Sequence, residues 1–180
     1  MRSDEDGLCR AVGRLLDLAR GHEPAYAGPQ SPVRTDQVAG LLRGAGCHLE
    51  VFPFQSTAAA MVLPRCGGVY PVFVNRDGDR VERTFALRHE LAHVLAGDAD
   101  GAVFLADDGW TAREERIADL FALADLVPGW WIAQLLGAVP GRELAAEVAQ
   151  AVGEFAQGWP TERVLDRVRL RLRLYEACAV

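Results

Sequence analysis

The chain has 180 residues, of which 50% are hydrophobic and 24% charged; this length and composition fit one globular domain with a single sizeable core. The formal net charge of −6 argues against a general nucleic-acid-binding protein, because contact with phosphates needs a basic face. No apolar run approaches the roughly 20 residues that cross a bilayer, and the N-terminus is unlike a signal peptide, so we expect a cytoplasmic protein without membrane contact.

The first part of the chain predicts two helices and a linker. Residues 7 to 20 place leucine and valine at helical spacing. The stretch GHEPAYAGPQSPVR, residues 21 to 34, contains three prolines and two glycines, which is typical of a linker or an extended surface segment. A second helix is predicted to begin at Thr35 or Asp36 and to end near Gly44.

The segment from residue 47 to residue 84 predicts a small, mostly antiparallel sheet. Its hydrophobic period approaches two in four short runs, HLEVFPF, AAAMVL, GVYPVFVN and RVERTF. Asp77 and Gly78, between the last two runs, predict a hairpin turn. Pro71 cannot donate a hydrogen bond to a strand ladder, so we expect its strand to lie at a sheet edge.

Helical periodicity resumes at Thr84 and continues, with breaks, to the C-terminus. Residues 167 to 175 alternate between basic and apolar side chains, which also fits a strand; the helix start at Pro160 favours a helix, and both interpretations stay open. The sequence as a whole predicts one α+β domain. Its parts are an N-terminal helix with a Pro/Gly-rich linker (1–33), a core (34–128) and a helical C-terminal part (129–180).

The cysteines are scattered along the chain, and no two of them form a C-x-x-C pair. This spacing predicts reduced, mostly buried thiols and not a disulfide framework or a zinc knuckle. The four residues are Cys9, Cys47, Cys66 and Cys178.

The stretch RHELAHVLAG contains the pattern H-E-x-x-H, with His89 and His93 four residues apart. On an α-helix these histidines lie about 40° apart around the axis and about 6 Å along it, so both can reach one tetrahedral ion. Glu90, about 100° from His89, can reach a water on that ion without being a ligand, which is the arrangement of metalloproteases. We expect a helix capped by Thr84 and closed by Gly97. The alternative is a surface His-Glu-His cluster on an amphipathic helix.

A third ligand is needed, and the nearest candidates do not fit. In metzincins it follows in the pattern H-E-x-x-H-x-x-G-x-x-H, but here Ala99 occupies the ligand position. Asp98 and Asp100 are out of register and are expected to form a turn. His22 and His48 are further candidates for which no spacing argument exists.

A glutamate from a later helix fits better. Thr111 and Glu114 match the capping box T-x-x-E, which leaves Glu115 as the predicted third ligand. Asp119 lies one turn further along the same face. Its carboxylate could accept a hydrogen bond from the far nitrogen of a ligand histidine and so fix the tautomer.

Two blocks of sequence resemble the ImmA/IrrE-type metallopeptidases. The first block is carried by Phe85, Leu87, His89, Glu90, Leu91 and His93, and the second by Glu115, Ala118, Phe121, Ala122, Leu126 and Pro128. The resemblance extends over about residues 35 to 175 and departs from the family pattern at Ala92, usually glycine, and at Asp119, usually asparagine. It implies a minimal zincin-like fold with a zinc ion bound between two helices. It also implies a protein substrate, because known members act on DNA-binding regulators.

The sequence therefore predicts a zinc metallopeptidase that cleaves a specific protein partner, for example a transcriptional regulator. Its predicted site has His89, His93 and Glu115 as Zn²⁺ ligands, Glu90 as general base and Asp119 as the hydrogen-bond partner of a ligand histidine. Two alternatives remain, because a fold does not fix a function. One is a metal-binding regulatory or partner-binding protein without efficient proteolysis. The other is a metalloenzyme recruited to small-molecule biosynthesis.

The groups that would contact the substrate are less well defined. A hydrolase of this kind usually has a hydrogen-bond donor for the oxyanion, and Tyr70, Arg88 and His48 are the open candidates. The expected edge strand, around residues 69 to 74, could hold an extended peptide by β-addition.

Overall fold

The fold is α+β and mostly helical. A computed structural model describes residues 2–22, 35–54, 58–63, 65–97, 112–137, 141–156 and 162–178. Within these ranges the chain forms seven helices and a three-stranded sheet. The elements are α1 (Arg2–His22), α2 (Thr35–Gly44), β1 (Cys47–Phe52), β2 (Ala60–Val62), β3 (Tyr70–Asn75), α3 (Arg80–Ala96), α4 (Ala112–Leu126), α5 (Gly129–Leu136), α6 (Gly141–Ala156) and α7 (Glu162–Cys178).

Several predicted elements are confirmed. The helices α1 and α2 and the first three strands lie where the hydrophobic period places them. The alternating residues 167 to 175 are helical and belong to α7. Most of the predicted linker, residues 23 to 34, lies outside the described ranges. No single helix in the described part of the chain is long and apolar enough to cross a membrane.

The sheet is mixed, with the strand order β1-β3-β2. β1 pairs in parallel with β3, from Cys47 opposite Tyr70 to Phe52 opposite Asn75. β2 pairs antiparallel with β3. The expectation of a mostly antiparallel sheet is wrong for β1, because the connection through β2 is long enough for a crossover that returns the chain in the same direction.

Pro71 lies in the central strand β3, so its predicted place at a sheet edge is wrong. Its carbonyl accepts a hydrogen bond from the Leu63 N–H at 2.8 Å. In an antiparallel ladder the N–H and C=O of one residue point to the same side. The nitrogen of Pro71, which carries no hydrogen, therefore faces the same neighbour as its carbonyl, at the end of β2, which stops at Val62. A proline is tolerated there because only one ladder bond is lost.

The run RVERTF is the first part of α3, so the predicted fourth strand and its hairpin are wrong. The Asp79 carboxylate accepts hydrogen bonds from the N–H groups of Val81 at 2.8 Å and Glu82 at 3.0 Å. This cap satisfies two of the otherwise unpaired donors of the first turn, so the helix begins at Arg80 and not at Thr84. The other end agrees with prediction, because Gly97 has a φ of 74° and closes the helix.

The main hydrophobic core joins α1, α2 and the sheet to α3 and α4, and a second core lies between α4 and the last three helices. α3 and α4 lie side by side and antiparallel, since Phe85 contacts Ala122 and Leu123 while His93 contacts Glu115. The fully buried Arg171 of α7 donates from Nε to the Val127 carbonyl at 2.8 Å, which satisfies a carbonyl just beyond α4.

The cysteines differ from one another in state. Cys47 is buried and free, and burial raises the pKa of its thiol to about 12. Cys66 is free and exposed. Cys9 is disulfide-bonded, so the prediction of four reduced thiols is wrong for this residue. Sequence spacing does not reveal which cysteines meet in space.

Candidate metal centre

Three predicted ligands meet between α3 and α4. His89 Nε2 lies 3.0 Å from His93 Nε2 and 3.2 Å from Glu115 Oε2, and His93 Nε2 lies 3.4 Å from Glu115 Oε1. One ligand atom from each residue can be chosen so that all lie within 4.8 Å of one another. This group could therefore bind a metal ion.

The spacing and the chemistry of these atoms suit a tetrahedral ion. With metal–ligand bonds of 2.0 to 2.1 Å, neighbouring ligand atoms of a tetrahedron are about 3.3 Å apart. The two histidine nitrogens are 3.0 Å apart, and each lies 3.2 to 3.4 Å from a different oxygen of the Glu115 carboxylate, which is close to that value. Two imidazoles and one carboxylate are also the ligand set of catalytic sites that keep a fourth position open.

Asp119 lies where the sequence predicts it. Its Oδ1 is 2.9 Å from His89 Nδ1, the ring nitrogen that points away from the ligand group. A proton on Nδ1 donated to this carboxylate leaves Nε2 with its lone pair directed at the site. Asp119 therefore selects the tautomer of His89 that can bind a metal.

Without a metal, His89 and Glu115 form an ion pair. Burial alone would lower the pKa of His89, but hydrogen bonds to Asp119 and Glu115 outweigh it and raise this pKa to about 10. Hydrogen bonds to His89 and His93 lower the pKa of Glu115 to about 2. A metal ion would have to displace the proton of His89 before it could bind.

Glu90 is buried between α3 and the sheet. Its Oε2 accepts a hydrogen bond from the Val62 N–H of β2 at 3.0 Å. Burial raises its pKa, and the nearby imidazoles partly oppose that shift. The carboxylate is thus oriented by the sheet, and its raised pKa makes it easier to protonate than an exposed glutamate.

A cavity of about 200 Å³ opens beside His89 and Glu90. Its other walls include residues 58 to 60, which lead into β2, and Arg167 of α7. β2 ends the strand order, so in the described part of the chain it has a strand neighbour on one side only. The prediction that residues 69 to 74 form an edge strand that holds a peptide is wrong, because β3 is the central strand. The edge strand beside the site is β2.

The three candidates for the oxyanion donor do not line this cavity. Arg88 is fully buried and paired with Asp125 on α4. Tyr70 is buried in the main core. His48 is exposed on β1, 3.5 Å from a carboxylate oxygen of Glu50, and is not part of the ligand group.

Sequence reasoning missed Arg167 at this cavity. Its guanidinium lies 3.6 Å from the centroid of the Phe85 ring and 2.6 Å from Glu82 Oε2. The available signal was the alternation of basic and apolar side chains in residues 167 to 175, which does not indicate what the basic side chains contact.

Other predicted residues lie outside the described part of the chain. Asp98, Asp100 and Thr111 are among them, as is the side chain of His22. The capping box of Thr111 and Glu114 therefore stays a prediction, although Glu115 does lie at the ligand group.

Comparison of the chain with protein-family models, curated proteins and solved structures finds no significant match. Fold and site together define an α+β domain that carries a possible metal-binding triad, His89, His93 and Glu115.

Proposed function

We propose that the chain is a zinc-dependent metallopeptidase with a minimal zincin-like fold, similar to the ImmA/IrrE type, that hydrolyses a peptide bond in a specific protein partner. The observation that carries this proposal is the convergence of the ligand atoms of His89, His93 and Glu115 next to the buried Glu90. A metal-binding site alone has no need of a buried carboxylate beside it. We expect a cytoplasmic protein, and a DNA-binding regulator is a partner of the expected kind.

Zinc is the proposed ion because it accepts both imidazole and carboxylate ligands in tetrahedral geometry. Held by these residues, it would act as a Lewis acid and would lower the pKa of a water ligand to about 7. Asp119 keeps His89 in the tautomer that such an ion requires.

Glu90 is the proposed general base. Its raised pKa allows the carboxylate to accept a proton as water attacks the peptide carbonyl, and to return the proton to the leaving amine. The hydrogen bond from the Val62 N–H holds one carboxylate oxygen in place during both transfers.

The outer edge of β2, which has no strand neighbour in the described part of the chain, is the proposed binding site for the backbone of the substrate. An extended segment added to this edge would pass beside Glu90, because Val62 of β2 contacts the Glu90 carboxylate directly. The neighbouring cavity of about 200 Å³ could then receive one side chain of the substrate.

The small volume of that cavity also favours a second candidate function, a metalloenzyme acting on a small molecule. A regulatory metal-binding protein without proteolysis is the third. Neither alternative requires that a protein partner be cut.

Co-expression with candidate regulators, followed by detection of their fragments, distinguishes these functions. We expect wild type to cut one partner and Glu90→Gln to cut it about 10²- to 10⁴-fold more slowly while still binding zinc. Glu50→Gln, which changes an exposed glutamate on β1, is the matched control and should behave like wild type. If zinc-loaded wild type cuts no partner and no peptide, the peptidase proposal is wrong.

A further inference from the structure

A buried ion pair joins the two helices that carry the ligand group. Arg88 Nε lies 2.8 Å from Asp125 Oδ2, and both side chains have 0% exposure. Arg88 NH1 also donates to the Thr84 carbonyl at 2.7 Å, one turn back along α3. The proposed chemistry uses neither Arg88 nor Asp125.

The position of this pair relates it to the ligand group. Arg88 directly precedes His89, but its side chain extends towards Thr84, away from the His93 end of α3. Asp125 follows Glu115 by ten residues on α4, which places it about 80° around the helix axis and about 15 Å along it. The pair therefore connects α3 and α4 at a distance from the ligands and on a neighbouring face.

Between these two sites α3 and α4 meet through the hydrogen bond of His89 to Asp119, which belongs to the ligand group, and through apolar side chains. Phe85 packs against Ala122 and Leu123, and such contacts are not directional, so they permit small rotations of one helix against the other. An arginine that contacts both a carbonyl and a carboxylate has a fixed geometry. A buried ion pair adds little net stability to a fold. Its best-attested role is to specify one packing arrangement of the elements that it joins.

We propose that Arg88 and Asp125 are positioning residues that fix the rotation of α4 against α3 and thereby hold Glu115 opposite His89 and His93. The inference rests on the proposed metal site. Rotating α4 by 10 to 20° would move the Glu115 carboxylate by about 1 to 2 Å, since it projects several ångströms from the helix axis. Metal–ligand distances vary by only about 0.2 Å, so such a rotation would weaken binding.

The test is a double variant, Arg88→Met with Asp125→Leu, which replaces the pair by apolar side chains. Replacements of this kind are often neutral or stabilising, so we expect the metal-free variant to unfold at a urea concentration close to that of wild type. We expect its zinc dissociation constant to be about 10- to 100-fold higher, as after loss of other groups that orient ligands. The visible spectrum of the Co²⁺-loaded protein should change as well, because it reports coordination geometry.

Two further variants complete the experiment. Arg88→Lys keeps the positive charge but loses the planar guanidinium that contacts the Thr84 carbonyl and the Asp125 carboxylate, so it should also weaken zinc binding. If the double variant does not fold, the zinc affinity of Arg88→Lys tests the positioning role instead. Arg171→Met is the matched control, because it removes another buried arginine, whose Nε donates to the Val127 carbonyl just beyond α4. It should leave zinc affinity close to that of wild type.

The outcomes separate this inference from the function on which it rests. Wild-type zinc affinity and an unchanged Co²⁺ spectrum in a folded double variant, or in Arg88→Lys, would overturn the positioning role alone. Equal losses of affinity in the double variant and in Arg171→Met would overturn it too, because the effect would then be general. If wild type itself bound no zinc, the metal site would be wrong and this inference would fall with it.

Discussion

At the scale of single residues, the metal-free site has a distinctive dependence on pH. The pKa of Glu115 is lowered from 4.5 to about 2, so its contribution to stability is complete above pH 4.5 and is lost as pH falls through about 2. The pKa of His89 is raised from 6.5 to about 10, so its contribution is complete below pH 6.5 and is lost as pH rises through about 10. Both contributions are complete only between pH 4.5 and 6.5.

We therefore predict that the stability difference between wild type and Glu115→Gln, both treated with a chelator, is largest between pH 4.5 and 6.5. It should decrease as pH rises through about 10. The difference will be modest, because the Glu115 side chain is 42% exposed and solvent screens its charge. Urea unfolding at fixed ionic strength measures it, and a difference that grew steadily from pH 6.5 to pH 10 would contradict the ion pair.

The residues of the site could be predicted because their relations are local. His89 and His93 share a face by helical spacing, as do Glu115 and Asp119, so each pair follows from the 3.6-residue period alone. The need for a third ligand and the capping box of Thr111 and Glu114 linked Glu115 to the histidines, and the resemblance to a known family supported that choice. Arg167 and the Val62 N–H could not be predicted, because they reach the site from elements distant in sequence, and no local pattern encodes such contacts.

At the scale of elements, the start of α3 depends on one aspartate. We predict that Asp79→Ala lowers the free energy of unfolding by about 1 kcal/mol, because it leaves two N–H groups of the first turn without their cap. For a protein of this size that loss corresponds to a decrease in Tm of roughly 2 to 4 °C, measurable by calorimetry.

Asp77→Ala is the control, because Asp77 is exposed and its carboxylate forms an ion pair with the exposed Arg76. It should change Tm by less than about 1 °C. Equal effects of the two substitutions would mean that Asp79 does not cap the helix.

The same aspartate explains an error of prediction. The hydrophobic period of RVERTF only approaches two, and the cap at Asp79 begins a helix there; a run of six residues is too short to distinguish a strand from a helix. Pro71 was misplaced because its residue type indicates a lost ladder bond but not where the neighbouring strand ends. The parallel pairing of β1 with β3 likewise depends on the crossover and not on either strand's own residues.

At the scale of the whole molecule, the candidate metal centre lies where several elements meet. α3 and α4 carry the three residues that could bind a metal, β2 orients Glu90, and α7 contributes Arg167 to the cavity. A second cavity, of about 260 Å³, lies on the other side between α1, α3 and α4 and reaches His93. The site thus depends on the packing of the whole domain and not on the H-E-x-x-H helix alone.

The most direct test of this account is the zinc content of purified protein after dialysis, measured for wild type, Glu115→Ala and Glu114→Ala. We expect about one zinc per chain in wild type and in Glu114→Ala, and less than about one tenth of that in Glu115→Ala, because a structured site with two histidines alone binds zinc weakly. Equal zinc in wild type and Glu115→Ala would contradict the assignment of the third ligand and, with it, the proposed catalytic site.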